Sequence, residues 1–154
     1  MGQFVSGTLA LPGNRAVLSD LGGRWTCRFQ DRKGLKSIVP DMDSSVSPTH
    51  GDQEGTAWNR HFDCTCDHPL FLFNPFGMPE RCALRHGNVH SADGWKAVPD
   101  PVIARYAGRD MRRFFRADAA DASPAISARL EAAGDFQAIR LPANAVLRGG
   151  SRIA

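Results

Sequence analysis

The chain has 154 residues, 42% of them apolar and 23% charged, with a net charge of +3 at pH 7. That is the length of a single domain and the balance of an ordinary folded chain, not of a disordered one. There is no run of 18 apolar residues to span a membrane, and no charged segment precedes an apolar run at Met1–Pro12, which reads against a secretory leader.

Met1 to Gly34 reads as a lead-in segment without chemistry of its own. Asn14 is placed to cap a short helix through Leu21, which Gly22-Gly23 would stop, and Trp25 and Phe29 would dock on the core. Leu35 to Asp43 (LKSIVPDMD) reads as a strand ending in acids. His61 to Phe76 reads as a second, long strand, alternating at first and then apolar through Leu70-Phe71-Leu72-Phe73. After the turn signal Asn74-Pro75-Phe76-Gly77, Glu80 to Arg85 reads as a third strand with Cys82 and Leu84 on one face. Trp95, Val98, Val102 and Tyr106 share a helical face behind an N-cap at Ser91, with a break or kink predicted near Asp100 from Pro99 and Pro101. Arg112 to Asp118 reads as a fourth strand that also runs into an acid. Ser123-Pro124 opens a helix carrying Ile126, Leu130 and Ala133, Gly134 closes it, and Phe136 to Leu141 is the fifth strand.

Three antiparallel strands followed by two strand–helix units predict a mixed α/β sheet with helices on its faces. This is the element order of the ribonuclease-H-like fold, incomplete at the C-terminus. Ligands of open α/β sheets gather at the carboxyl ends of strands. Two predicted strands end there in acids, Asp41 and Asp43 after the first and Asp118 after the fourth. In that strand order they are neighbours, and converging carboxylates call for a cation between them, of which hard oxygen ligands suit Mg2+ or Mn2+. The four cysteines fit reduced thiols. His61, Cys64, Cys66 and His68 invite a zinc reading, but their spacing is not a usual finger spacing, and Phe62, Cys64 and Cys66 alternate as a half-buried strand would.

The blocks LKSIVPDMDSSVSPTH (Leu35–His50), WNRHFDCTCDHPLFLFNPFG and ERCALRHGNVHSADGWKAV (within Trp58–Tyr106), FFRADAA (Phe114–Ala120) and AIRLPAN (Ala138–Asn144) resemble bacterial insertion-sequence transposases of the DDE class, nearest to the 1380-type group. The resemblance runs from about Gly13 to Leu147 and divides the chain into a lead-in (1–34), a partial catalytic domain (35–147) and a divergent tail (148–154). It implies Asp43 as the first catalytic metal ligand, with Asp41 as the fallback, and Asp118 as the second. The family's third acid is a Glu on a late helix, with no counterpart here, since Glu131 precedes the fifth strand. The resemblance thus implies a truncated copy of an enzyme that cleaves and joins DNA strands with Mg2+ or Mn2+, acting on element ends and target DNA, oligomeric in its intact form and at work in the bacterial cytoplasm, at the nucleoid when bound to DNA. Arg109, Arg112, Arg113, Arg116 and Arg140 are its candidate phosphate contacts. A non-catalytic DNA-binding remnant and a small zinc-binding module are the alternatives. Pro40, Asp67, Pro99 and Asp121 depart from the family pattern, with Pro40 falling inside a central strand and Pro99 inside a helix.

Overall fold

The structure is a computed structural model and describes residues 2–51, 53–90 and 93–142. A short turn of helix (α1, Gly2–Phe4) and a π-helical stretch (Val5–Leu9) lead into α2, Pro12–Lys33. Strands β1 (Ser37–Ile38), β2 (Asp41–Ser44), β3 (Ser47–Pro48), β4 (Ala57–Asn59), β5 (Cys64–Asp67), β6 (Leu70–Phe73) and β7 (Pro79–Ala83) follow. Then come α3 (Pro99–Tyr106), β8 (Arg112–Ala117), α4 (Pro124–Ala133) and β9 (Phe136–Ile139). No helix among the described residues is long and apolar enough to cross a membrane.

The main sheet runs β7-β6-β2-β8-β9, with β1 also on β8. β2, β6 and β7 pair antiparallel, whereas β2–β8 and β8–β9 are parallel. This is the mixed sheet that the element order predicts. β1 and β2 are one predicted strand broken at Val39-Pro40. The register on β8 is the same on both sides of the break, Ser37 lying opposite Arg112 and Asp41 opposite Arg116. The Pro40 carbonyl still accepts from the Arg116 amide at 2.8 Å. What the proline removes is the one N–H that this register would aim at the Phe114 carbonyl.

Met42, Leu70, Leu72, Phe115 and Ala117 line one face of the sheet and are buried with Cys27 of α2, Val102 and Tyr106 of α3, and Ile126 and Leu130 of α4. Among the described residues the helices therefore cover one face of the sheet, not both. The opposite face displays Phe71 stacked on Phe73 and Phe114 stacked on Phe136, with ring centroids 5.4 and 5.2 Å apart.

Four predicted elements change. Gly22-Gly23 does not stop the first helix, which runs on to a left-handed Gly34. The pair instead permits close approach. A Cβ at Gly23 would overlap the Arg105 guanidinium, and one at Gly22 would lie 3.1 Å from the Pro79 carbonyl oxygen. The long second strand divides into β5 and β6, because Asp63 takes a positive φ ahead of β5 and Pro69 interrupts the ladder after it. β5 belongs to a separate three-stranded sheet with β3 and β4. Pro99 and Pro101 do not kink a helix but occupy the first turn of α3, where no N–H is needed. The predicted cap Ser91 lies outside the described residues. Finally, the third strand buries Glu80, while Cys82 and Leu84 are exposed. A register shift sets Leu72 opposite Arg81 and Phe73 opposite Pro79, so Glu80 is the unpaired residue of a bulge and turns into the core.

The C-terminal half follows its sequence signals closely. The Ser123 hydroxyl accepts from the Ile126 amide, Pro124 opens α4, and Gly134 closes it at φ 73°.

Candidate active site

β2 and β8 run parallel and side by side, so their carboxyl ends emerge together. Asp41 lies opposite Arg116 and Met42 opposite Ala117. The next residues along the two strands are Asp43 and Asp118. Both are exposed and line one cleft with Asp41, Arg116, Ala138 and Arg140. The predicted pair thus converges although it is far apart in sequence. Asp118 is further fixed by its own side chain, whose Oδ1 accepts from the Ala120 amide at 2.9 Å and caps the short 3-10 turn Ala119–Asp121. Neither Asp43 nor Asp118 forms an ion pair among the described residues.

Asp41 differs. Its carboxylate accepts from the Arg116 guanidinium across the strand pair. Two residues on the same face of one short strand are thereby given different environments: Asp41 is neutralised by its neighbour and Asp43 is left available.

Asp121 completes an acidic corner. It is buried at 1% exposure, and one of its oxygens has no hydrogen-bond partner. Burial, then the charges of Asp118 and Asp43, push its pKa up to about 6, against the opposing charges of Arg85 and His90. In the sequence it stood out only as a departure from the family pattern. Its position three residues beyond Asp118 was the available signal. Among the described residues no group of three His, Cys, Asp or Glu side chains is arranged to hold a metal ion.

The candidate phosphate contacts separate by environment. Arg140 is exposed and lines the cleft beside Asp43 and Asp118. Arg112 is exposed, with its guanidinium 5.8 Å from the centre of the Phe114 ring. Arg116 is engaged by Asp41. Arg109 is engaged by Asp31 of α2, away from the strand ends. Arg113 is turned into the fold, where it donates to Asp135 and to the carbonyls of Ala133 and Tyr106. Its guanidinium is used to hold α3, β8 and the end of α4 together.

The residues of the zinc alternative are committed elsewhere. His68 is buried, with Nδ1 3.2 Å from the Val89 carbonyl oxygen. Cys66 is buried, with its Sγ 3.9 Å from the Gly87 carbonyl oxygen. The His61 ring packs edge-on against Phe62 at 4.8 Å.

Comparison with known proteins places this sequence in a family. The family described as transposase DDE domain group 1 matches residues 7–152. No curated protein matches the chain in sequence. Among solved structures it is similar to the Mos1 transposase paired-end complex with left transposon end, at 16% identity and a TM-score of 0.41, over 82% of this chain and 41% of that one. It is similar to a pre-cleavage Mos1 transpososome at 14% identity and a TM-score of 0.39, over 82% of this chain and 42% of that one. The chain therefore spans about two fifths of the length of these structures.

Proposed function

The chain belongs to the transposase DDE domain family, group 1, and on that premise we propose that it cuts and joins DNA strands with Asp43 and Asp118 as its metal-holding carboxylates. The observation that supports this reading is their convergence at the ends of adjacent parallel strands in one open cleft, with neither held in an ion pair among the described residues. Carboxylate oxygens are hard donors, and Mg2+ is commonly held by one or two carboxylates, with water and substrate phosphate completing its shell. The donor set fits such an ion at two ligands. A bound Mg2+ or Mn2+ supplies charge to the phosphate oxygens and acidity to the attacking hydroxyl group.

The protein's own contribution is positional. The Ala120 amide holds one oxygen of Asp118 at the edge of the cleft. Arg140 offers its guanidinium to a phosphate entering beside the two acids. Arg116, by pairing with Asp41, keeps that carboxylate from competing for the ion. Phosphoryl substitution asks for this kind of placement more than for covalent catalysis by the protein.

Nicking of supercoiled plasmid in Mg2+ or Mn2+ tests the reading. The expected result is metal-dependent nicking that Asp43→Ala and Asp118→Ala remove, and equal nicking by all three proteins would defeat it. A second reading, DNA association without cleavage, is favoured by the lack of a three-ligand metal group among the described residues. It predicts salt-sensitive duplex binding that is indifferent to metal.

A further inference from the structure

Among the described residues, the acids of α2 are paired across the fold and its arginines are not. Its acids Asp20 and Asp31 face the fold, where they accept from Arg105 and Arg109 respectively, with Arg81 also 3.8 Å from Asp20. Its arginines Arg24, Arg28 and Arg32 recur every four residues, so they form one row along the helix. All three are exposed, and none has an ion-pair partner among the described residues.

Beside that row stand Trp25, 68% exposed, and Phe29, 36% exposed. Phe29 meets Phe76 of the β6–β7 turn edge-on at 5.4 Å, and Phe76 is itself exposed. Trp25, Arg28, Phe29 and Arg32 form one wall of a groove whose other wall is Met78 and Pro79, with a volume of about 630 Å3. An exposed indole in solvent is a poor use of apolar area, and unpaired arginines at its side select for negative charge.

We propose that this groove binds a single strand of DNA, a base stacking on the Trp25 indole while backbone phosphates meet Arg28 and Arg32. Stacking platforms flanked by cations suit single strands, because every unpaired base presents a flat face and every nucleotide a phosphate. A second copy of the chain is a poor occupant, since helix-to-helix packing on this face would oppose two rows of arginines. The choice of DNA rests on the transposase reading; the groove itself is separate from Asp43 and Asp118, since no residue is shared between the two linings.

The test is fluorescence anisotropy of a labelled oligo(dT) strand titrated with the full chain at low salt, with plasmid nicking measured in parallel. Trp25→Ala is expected to weaken strand binding about tenfold, the scale of one stacked base. Arg28→Ala with Arg32→Ala should flatten the salt dependence by roughly 1.4 in log–log slope. Both changes are at exposed positions, and unchanged thermal melts would show that the fold persists. Strand affinity within twofold of the parent for both Trp25→Ala and the double arginine variant would overturn the proposal, and so would an equal effect of Trp25→Ala on a duplex of the same sequence. Nicking by the parent with Trp25-independent strand binding would sink the groove alone; Trp25-dependent strand binding with no nicking would sink the catalytic reading alone.

Discussion

Arg116 reaches across from β8 to the carboxylate of Asp41, and two residues further along β2 Asp43 has no such partner among the described residues. The pair is exposed at both ends, 60% and 39%, so it contributes about 1 kcal/mol or less to stability. Its consequence is chemical selectivity between two aspartates on one face. Asp41→Ala is expected to retain metal-dependent nicking and to lower stability by less than about 1 kcal/mol in a urea melt. Asp43→Ala is expected to abolish nicking at unchanged stability. Loss of nicking in the Asp41 variant alone would exchange their roles.

Glu80 sits fully buried at the bulge of β7, and Arg105 of α3 donates to it at 2.9 Å. Tyr106 Oη, Asn74 Nδ2 and Gln30 Nε2 also donate to Glu80, at 3.0, 3.3 and 3.3 Å. Burial nonetheless pushes the Glu80 carboxyl above its ordinary value. Removing one partner of a buried pair strands the other, at a cost of about 3–5 kcal/mol. Arg105→Met should lower stability on that scale in chemical denaturation, and Glu80→Gln by clearly less, since an amide can keep part of the network. Gly23→Ala should also destabilise, because its methyl would occupy the space of the Arg105 guanidinium.

Asp121 makes a prediction about pH. Its pKa rises on folding from 3.8 to about 6, so the folded chain holds that proton more tightly than the unfolded chain. The cost of ionising it in its buried site is absent below pH 3.8 and complete above about pH 6. Asp121→Asn should therefore match the parent near pH 3.8 and exceed it at pH 7 by on the order of 2 kcal/mol. Thermal melts across this range check the sign, and a variant less stable than the parent at pH 7 would refute it.

Pro40 leaves the Phe114 carbonyl without its ladder donor in the middle of the sheet. Pro40→Val restores an N–H in an unchanged register. The regained bond outweighs the unfolded-chain freedom that valine adds, for a net gain of about 1 kcal/mol. A lower denaturation midpoint for the valine variant would show that the break is accommodated in some other way.

Much of this architecture is written in local signals. The short strands read at Arg112–Asp118 and Phe136–Leu141, the Ser123-Pro124 start and the Gly134 stop of α4 rest on signals within a few residues, and each element is found there. The juxtaposition of Asp43 and Asp118 is expected from the strand order of the ribonuclease-H-like fold, and both line one cleft. What the local signals miss depends on distant contacts. Gly22-Gly23 looks like a helix stop until Arg105 and Pro79 are brought against it. Glu80 looks like a surface residue until a bulge rotates it inward. Trp25 and Phe29, expected to dock on the core, are exposed instead, because α2 turns Gly23, Thr26, Cys27 and Gln30 inward and leaves both aromatics outside. The coverage of a single sheet face is likewise a tertiary property, because alternation identifies two faces without saying what lies over either.

The register of β2 on β8 has a kinetic consequence as well. Asp41 and Arg116 are 75 residues apart in sequence, whereas β6 and β7 are joined by a short turn. Loop closure must be met before a distant pairing can reward it. The β6–β7 hairpin should therefore form early, with β2 adding to it, and the β8–α4–β9 unit should dock on β2 last. On that sequence of events, the cleft is among the last parts of the molecule to exist, and a chain stalled before β8 docks holds half of the acidic pair on a three-stranded fragment whose open edge invites pairing with other chains.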